Sequence, residues 1–270
     1  MLLLYFLDIL ESSVQTLERS HYVDQAHSSR RVPRQDTLGS NGTLIIIGGS
    51  ARESSLQAVS DHLPPPRHLT VATIASPSDP EYQYEICKKR MKEFPGITFS
   101  ELSFENLIHD DPPYLDSETS GIFITGGHQD LLVDRLNTSR FGQELRDYHA
   151  RGGTIIGTSA GASFMGDKMP LGSTQADGFG LVPHIIDQHF SQKKRKGRLY
   201  ALVEQFPGRV GIGIDENTAV IYQDSHLQVM GEGQVFILKR NEEEVIEETV
   251  LTDGDTFTID MNVSRDNGIQ

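Results

Sequence analysis

From Gly152 to Ser163 the chain reads Gly-Gly-Thr-Ile-Ile-Gly-Thr-Ser-Ala-Gly-Ala-Ser. Ser159 stands between Gly157 and Gly161, after the β-branched run Thr154, Ile155, Ile156 and before small residues that suit a helix start. This is the spacing of a nucleophile elbow, a tight strand-to-helix turn that lifts a hydroxyl over the edge of a sheet. The amide of Ala160, at the helix start, could then face a developing oxyanion. A glycine- and serine-rich turn without chemistry has the same local pattern, so the surrounding residues decide.

A serine hydroxyl hardly ionises at neutral pH and needs a base, which in turn needs an orienting acid. Among ten histidines, His189 follows an apolar run and closes the polar cluster Asp187-Gln188-His189. Glu216 ends another apolar run, in Ile214-Asp215-Glu216-Asn217, where a carboxylate at a sheet edge could hold the imidazole. Asp215 suits a cap or turn better. The order serine, acid, histidine of α/β-hydrolase esterases would instead use Asp187 or Asp215 with His226, although His226 lies in a hairpin-like Asp224-Ser225-His226 turn. Cys87, the only cysteine, sits in a helical stretch and reads as a buried, inert thiol. Its isolation excludes an internal disulfide. Neither H-E-x-x-H nor cysteine-histidine spacing suggests a metal, and there is no phosphate loop, so no cofactor is expected.

The elements around these residues point to an α/β fold. Thr43-Leu-Ile-Ile-Ile-Gly-Gly-Ser is a continuous apolar run closed by glycines, the pattern of a parallel strand buried on both faces. Strands at 68–75, 97–102, 121–125 and in the elbow run alternate with helices at 54–62, 81–94 and 130–151. The alternation predicts a doubly wound, mostly parallel sheet flanked by helices, with ligands beyond the strands' C-terminal ends. A basic helical stretch follows at 193–206. Short alternating strands then run to residue 260 and predict a C-terminal antiparallel extension of the same domain. Residues 1–41 read as an N-terminal extension and linker, and 42–270 as one domain. The apolar stretch Leu2–Leu7 is cut by Asp8 and lacks the flanks of a signal peptide or membrane span, which makes the cytoplasm the default location. A net charge of -14 argues against nucleic acid or an anionic membrane as partner. Three N-x-S/T sequons, at Asn41, Asn137 and Asn262, read as chance matches.

Four separated motifs carry a resemblance: Gly126-Gly127-x-Gln129, Gly157-Thr-Ser159-Ala-Gly-Ala, Asp187-Gln-His-Phe190, and Gly211-Ile-Gly-Ile-Asp-Glu-Asn-Thr-Ala219. In this order, over about residues 43–240, the chain resembles the cyanophycinases of the serine peptidase family that also holds dipeptidase E. The resemblance implies a fold like class I glutamine amidotransferase domains and a Ser159-His189-Glu216 triad. It implies an oxyanion hole at the Gly127 and Ala160 amides, and substrate contacts by Gln129, Asp187, Gln188, Lys193, Arg195 and Arg198. The implied substrate is cyanophycin, a poly-aspartate bearing arginine on each β-carboxyl, cut to β-Asp-Arg dipeptides. The family's habit would make the protein a homodimer. Lys193 departs from an arginine in the family pattern and gives a point charge without the planar fork. His128 replaces an acidic residue, and the 170–179 segment looks short. A related aspartyl dipeptidase, or a non-catalytic binding protein of the same fold, are the alternatives.

Overall fold

In the computed structural model, residues 41–76 and 79–259 are described, so the expected 1–41 extension lies, apart from Asn41, outside the described residues. The chain opens with β1 (Leu44–Ile47), α1 (Glu53–His62), β2 (His68–Ala72), α2 (Pro80–Met91), β3 (Thr98–Leu102), α3 (Phe104–His109) and β4 (Thr119–Ile124). Next come α4 (Gln129–Leu136), α5 (Arg140–Ala150), β5 (Thr154–Thr158) and α6 (Ala160–Phe164). β1, β5, β4, β2 and β3 pair parallel, side by side in that order. β1 shows why the run is continuous rather than alternating: Leu44 and Ile46 pack into one core, Ile45 and Ile47 into another, and all four are fully buried. Each such side chain contributes roughly 1.5–3 kcal/mol of burial. The helix expected over 130–151 is two helices. Ser139 breaks it by accepting from the Gly142 amide at 2.9 Å and so starting α5 afresh.

The second half pairs its C-terminal strands antiparallel, as expected, but divides them between two sheets. It supplies β6 (Gly166–Leu171), β7 (Thr174–Asp177), β8 (Val182–Gln188), α7 (Lys196–Gln205), β9 (Gly211–Ile214), β10 (Thr218–Gln223), β11 (His226–Gly231), β12 (Val235–Arg240), β13 (Ile246–Leu251) and β14 (Thr256–Thr258). Only β10, β11 and β14 extend the first sheet, antiparallel beyond β1, to make eight strands. The others form a separate six-stranded mixed sheet, in the order β13-β12-β9-β8-β6-β7, with β6, β8 and β9 parallel. One face of this second sheet packs with α7 through Ile185, Leu199, Val203 and Leu238. The other shares a core with the first sheet through Ile186, Ile212, Ile214, Val235 and Ile237. The C-terminal ends of β1, β5, β8 and β9 thereby converge. The backbone amide of His189, just past β8, donates to the Gly48 carbonyl, just past β1, at 2.6 Å.

Candidate active site

Ser159 joins β5 to α6 with φ 54° and ψ -113°, a conformation that costs a non-glycine residue on the order of 1–3 kcal/mol. Its surroundings hold it there. The Ser159 amide donates to the Ile47 carbonyl at 3.1 Å, and its carbonyl accepts from Ala162 and Ser163 at 3.1 and 3.2 Å. A side chain at Gly126 would lie 3.1 Å from the Ser159 Cβ and 3.5 Å from its Oγ, so the Gly126-Gly127 turn after β4 lies directly against the hydroxyl. Ala160 is the first residue of α6, where a helix leaves its amides without an internal acceptor.

His189 also has a left-handed backbone, φ 49°. Its Nε2 lies 2.9 Å from the Ser159 Oγ, and its Nδ1 lies 2.6 Å from the Glu216 Oε1. These bonds assign the tautomer, with Nδ1–H donating to the carboxylate and Nε2 accepting from the hydroxyl. Gly49, φ 110°, passes under the imidazole so closely that any side chain there would collide with the ring. Burial pulls the His189 pKa below its ordinary 6.5; the Glu216 hydrogen bond opposes this, and the Lys193 and Arg195 charges add to it. Glu216 is held below the usual carboxylate range chiefly by the His189 hydrogen bond, with the Ser50 hydroxyl contributing. Such an arrangement can serve as a neutral base, hydrogen-bonded to a hydroxyl and oriented by a carboxylate.

The other expected residues divide. Gln129 and Gln188 meet next to His189, where the Gln188 Nε2 donates to the Gln129 Oε1 at 3.4 Å and the Gln129 Nε2 donates to the Pro170 carbonyl at 3.1 Å. Asp187 is fully buried, so the expected direct contact with substrate is not available to it in this structure. Alternation along β8 explains this: Asp187 shares the α7 side with Ile185, while His184, Ile186 and Gln188 point the other way. Arg198 grips Asp187 with Nε at 2.7 Å from Oδ2 and Nη2 at 2.5 Å from Oδ1. Arg195 Nη1 reaches the Asp187 Oδ1 at 3.3 Å, the Gln188 carbonyl at 2.5 Å and the Gln188 Oε1 at 2.6 Å. Lys193 is exposed and makes no ion pair among the described residues.

The esterase order fails on position. His226 is exposed, with Nδ1 turned to the Asp224 carbonyl at 2.9 Å, far along the first sheet's antiparallel edge. Cys87 is buried and its thiol is pushed up to about 12 by desolvation, an inert state. Sequence reasoning assigned no site role to Gly48, Gly49 and Ser50, which seat the imidazole and carboxylate, or to Asn217 and Gln192. Asn217 accepts from the Arg52 amide at 3.0 Å and the Ser55 hydroxyl at 3.1 Å, which ties the turn carrying Glu216 to the start of α1. The Gly-Gly-Ser after β1 was the available signal, since glycines at the C-terminal end of a buried parallel strand mark a ligand edge. No group of three or more histidine, cysteine, aspartate or glutamate side chains among the described residues could hold a metal ion. No helix among them is long and apolar enough to cross a membrane.

Known proteins share this arrangement of elements. The cyanophycinase of Trichormus variabilis is 41% identical over 138 residues, which cover 46% of this chain and 46% of that protein. Peptidase E of Shewanella putrefaciens is 26% identical over 153 residues, covering 51% of this chain and 65% of that protein. The chain thus matches about half the length of the cyanophycinases to which it is similar. Among solved structures, a peptidase from an acI-B1 Actinobacterium superposes with a TM-score of 0.66 at 23% identity, covering 82% of this chain and 98% of that one. A putative peptidase E protein from Listeria monocytogenes EGD-e reaches 0.52 at 16% identity, covering 72% and 100%. These two share the fold. The profile of peptidase family S51 spans residues 44–230, from β1 through β11 and including Ser159, His189 and Glu216, and on that match the chain belongs to peptidase family S51.

Proposed function

We propose that this protein is a serine-type peptidase that releases β-Asp-Arg dipeptides from cyanophycin through an acyl-enzyme. The observation that carries the reading is the unbroken relay from the Ser159 Oγ to the His189 Nε2 at 2.9 Å and from the His189 Nδ1 to the Glu216 Oε1 at 2.6 Å. Ser159 attacks the backbone carbonyl as His189 takes its proton, and Glu216 stabilises the imidazolium that forms. The Gly127 and Ala160 amides receive the oxyanion. His189 then protonates the leaving amine, and water, activated by the same imidazole, hydrolyses the ester. Lys193 and Arg195 follow His189 and bring positive charge close enough to act on its imidazole, which suits the free carboxylates of an arginyl-aspartate polymer. Asp187 acts through its arginines.

Lys193 favours a second reading, a peptidase acting on small aspartyl peptides, because a mobile ammonium holds a carboxylate less rigidly than a guanidinium fork. The test is to incubate the wild type and Ser159→Ala with cyanophycin granules and assay β-Asp-Arg by mass spectrometry. Release by the wild type alone is expected. Release by neither, together with cleavage of α- or β-aspartyl dipeptides by the wild type, would replace the first reading with the second.

A further inference from the structure

We infer that Asp215, beside the triad and not part of it, is the positioning residue that fixes His189 relative to Glu216; the inference rests on the triad reading above. Three successive amides tether the turn that carries His189. The His189 N–H donates to the Gly48 carbonyl at 2.6 Å, and the Phe190 N–H donates to the Ile214 carbonyl at 3.1 Å. The third, the Ser191 N–H, donates to the Asp215 Oδ1 at 2.8 Å. Only the third acceptor is a side chain, and so only it can be removed by substitution.

The other Asp215 oxygen accepts from the Gln234 amide at 3.2 Å, and the Asp215 amide donates back to the Gln234 carbonyl at 3.0 Å. One carboxylate, only 5% exposed, therefore locks the turn carrying the base to β9, to the start of β12 and, through the next peptide bond, to Glu216. Successive residues past β9 point to opposite sides, so Asp215 faces inward and Glu216 outward to the His189 Nδ1. A weaker tie closes the loop from the other direction, since the Gln192 Oε1 on the same turn accepts the Glu216 N–H at 3.1 Å. A buried carboxylate that accepts backbone N–H bonds makes charge-assisted contacts, which are shorter and about twice as strong as neutral ones. Loss of this one would let the 189–195 turn relax away from Glu216, and a 1 Å misplacement in a catalytic constellation costs on the order of 100-fold in rate.

The test compares wild type, Asp215→Asn, Asp215→Ala and the exposed-site variant Gln192→Ala. It reads kcat, KM, the pH dependence of kcat/KM and the far-downfield proton resonance of the His189 Nδ1–H. Asp215→Ala should lower kcat about 100-fold with KM changed less than threefold, and should lose the downfield resonance. It should also move the acid limb to lower pH, because Glu216 no longer raises the His189 pKa. Asp215→Asn, which keeps one carbonyl acceptor, should recover most of kcat, and Gln192→Ala should show the same signature at roughly threefold to tenfold. If Asp215→Ala does not fold, the graded response of Asp215→Asn and Gln192→Ala decides. Variants that lose stability yet keep wild-type kcat, acid limb and downfield resonance would overturn the inference. A wild type with no such resonance would instead overturn the triad reading on which it rests.

Discussion

The two sheets contribute to one site in different ways. The first brings Ser159 on a strained turn over an almost wholly apolar support, in which β1, β4 and β5 are buried on both faces. The second brings His189 and Glu216 on turns past β8 and β9 and carries buried charge and polarity behind them: Asp187 at 0% exposure, its two arginines and His184 at 2%. In the proposed roles, the nucleophile rests on one strained residue at the end of a rigid strand. A base and its orienter need a polar frame that fixes two side chains against each other, and buried polar groups are costly unless satisfied.

Removing the hydroxyl that the first sheet carries should have the largest effect. Ser159→Ala should lower kcat on any substrate of the wild type by about 10⁴-fold to 10⁶-fold with the fold intact, as checked by initial rates and circular dichroism. The second sheet's chemistry is next. Glu216→Gln should cost about 10³-fold to 10⁴-fold in kcat, since an amide cannot favour the required tautomer or the imidazolium. The same variant should move the acid limb of kcat/KM to lower pH, because the Glu216 hydrogen bond raises a His189 pKa that burial has already lowered.

The supporting frame should show in stability before it shows in rate. Asp187→Ala leaves two guanidinium groups without their carboxylate and should destabilise the protein by about 3–5 kcal/mol in urea titrations. His184 makes a smaller, pH-dependent contribution. Its two ring nitrogens are buried with no hydrogen-bond partner among the described residues, and desolvation, with the Arg209 charge, pushes its pKa to about 4. The folded state then binds the proton less readily than the unfolded chain, whose histidine titrates near 6.5. Stability is unaffected above about pH 6.5, falls as pH drops through the window from 6.5 to 4, and levels below it. The full loss is roughly 3 kcal/mol, which His184→Phe should abolish. On the far edge of the first sheet, His226→Ala should change neither rate nor stability by more than about 0.5 kcal/mol.

The same contrast governs what could be read in advance. The first sheet's strands are local patterns, apolar runs closed by glycines between helices, and the elbow's glycine spacing is local too. His189 and Glu216 were legible as polar residues ending apolar runs, and their meeting was expected, but not the parallel pairing of β8 with β9 across α7 that brings it about. Nothing in Val182–Gln188 or Gly211–Ile214 states which sheet they join, and a second sheet was not expected. Asp187 has the same sequence signal as a ligand-binding acid. Only the alternation along β8, together with the return of Arg195 and Arg198, buries it. The β6–β7 hairpin and α3 were missed because each is short, and α3 depends on the capping pair Ser103 and Asn106 rather than on apolar period.

An acylating serine where the two sheets meet should leave a covalent intermediate. Rapid chemical quench of the wild type with cyanophycin, followed by peptide mass spectrometry, tests it most directly. A transient acyl adduct is expected on the peptide carrying Ser159, formed within the first turnover and absent in His189→Ala. Dipeptide release at the wild-type rate with no adduct on Ser159, or with release retained in Ser159→Ala, would contradict it.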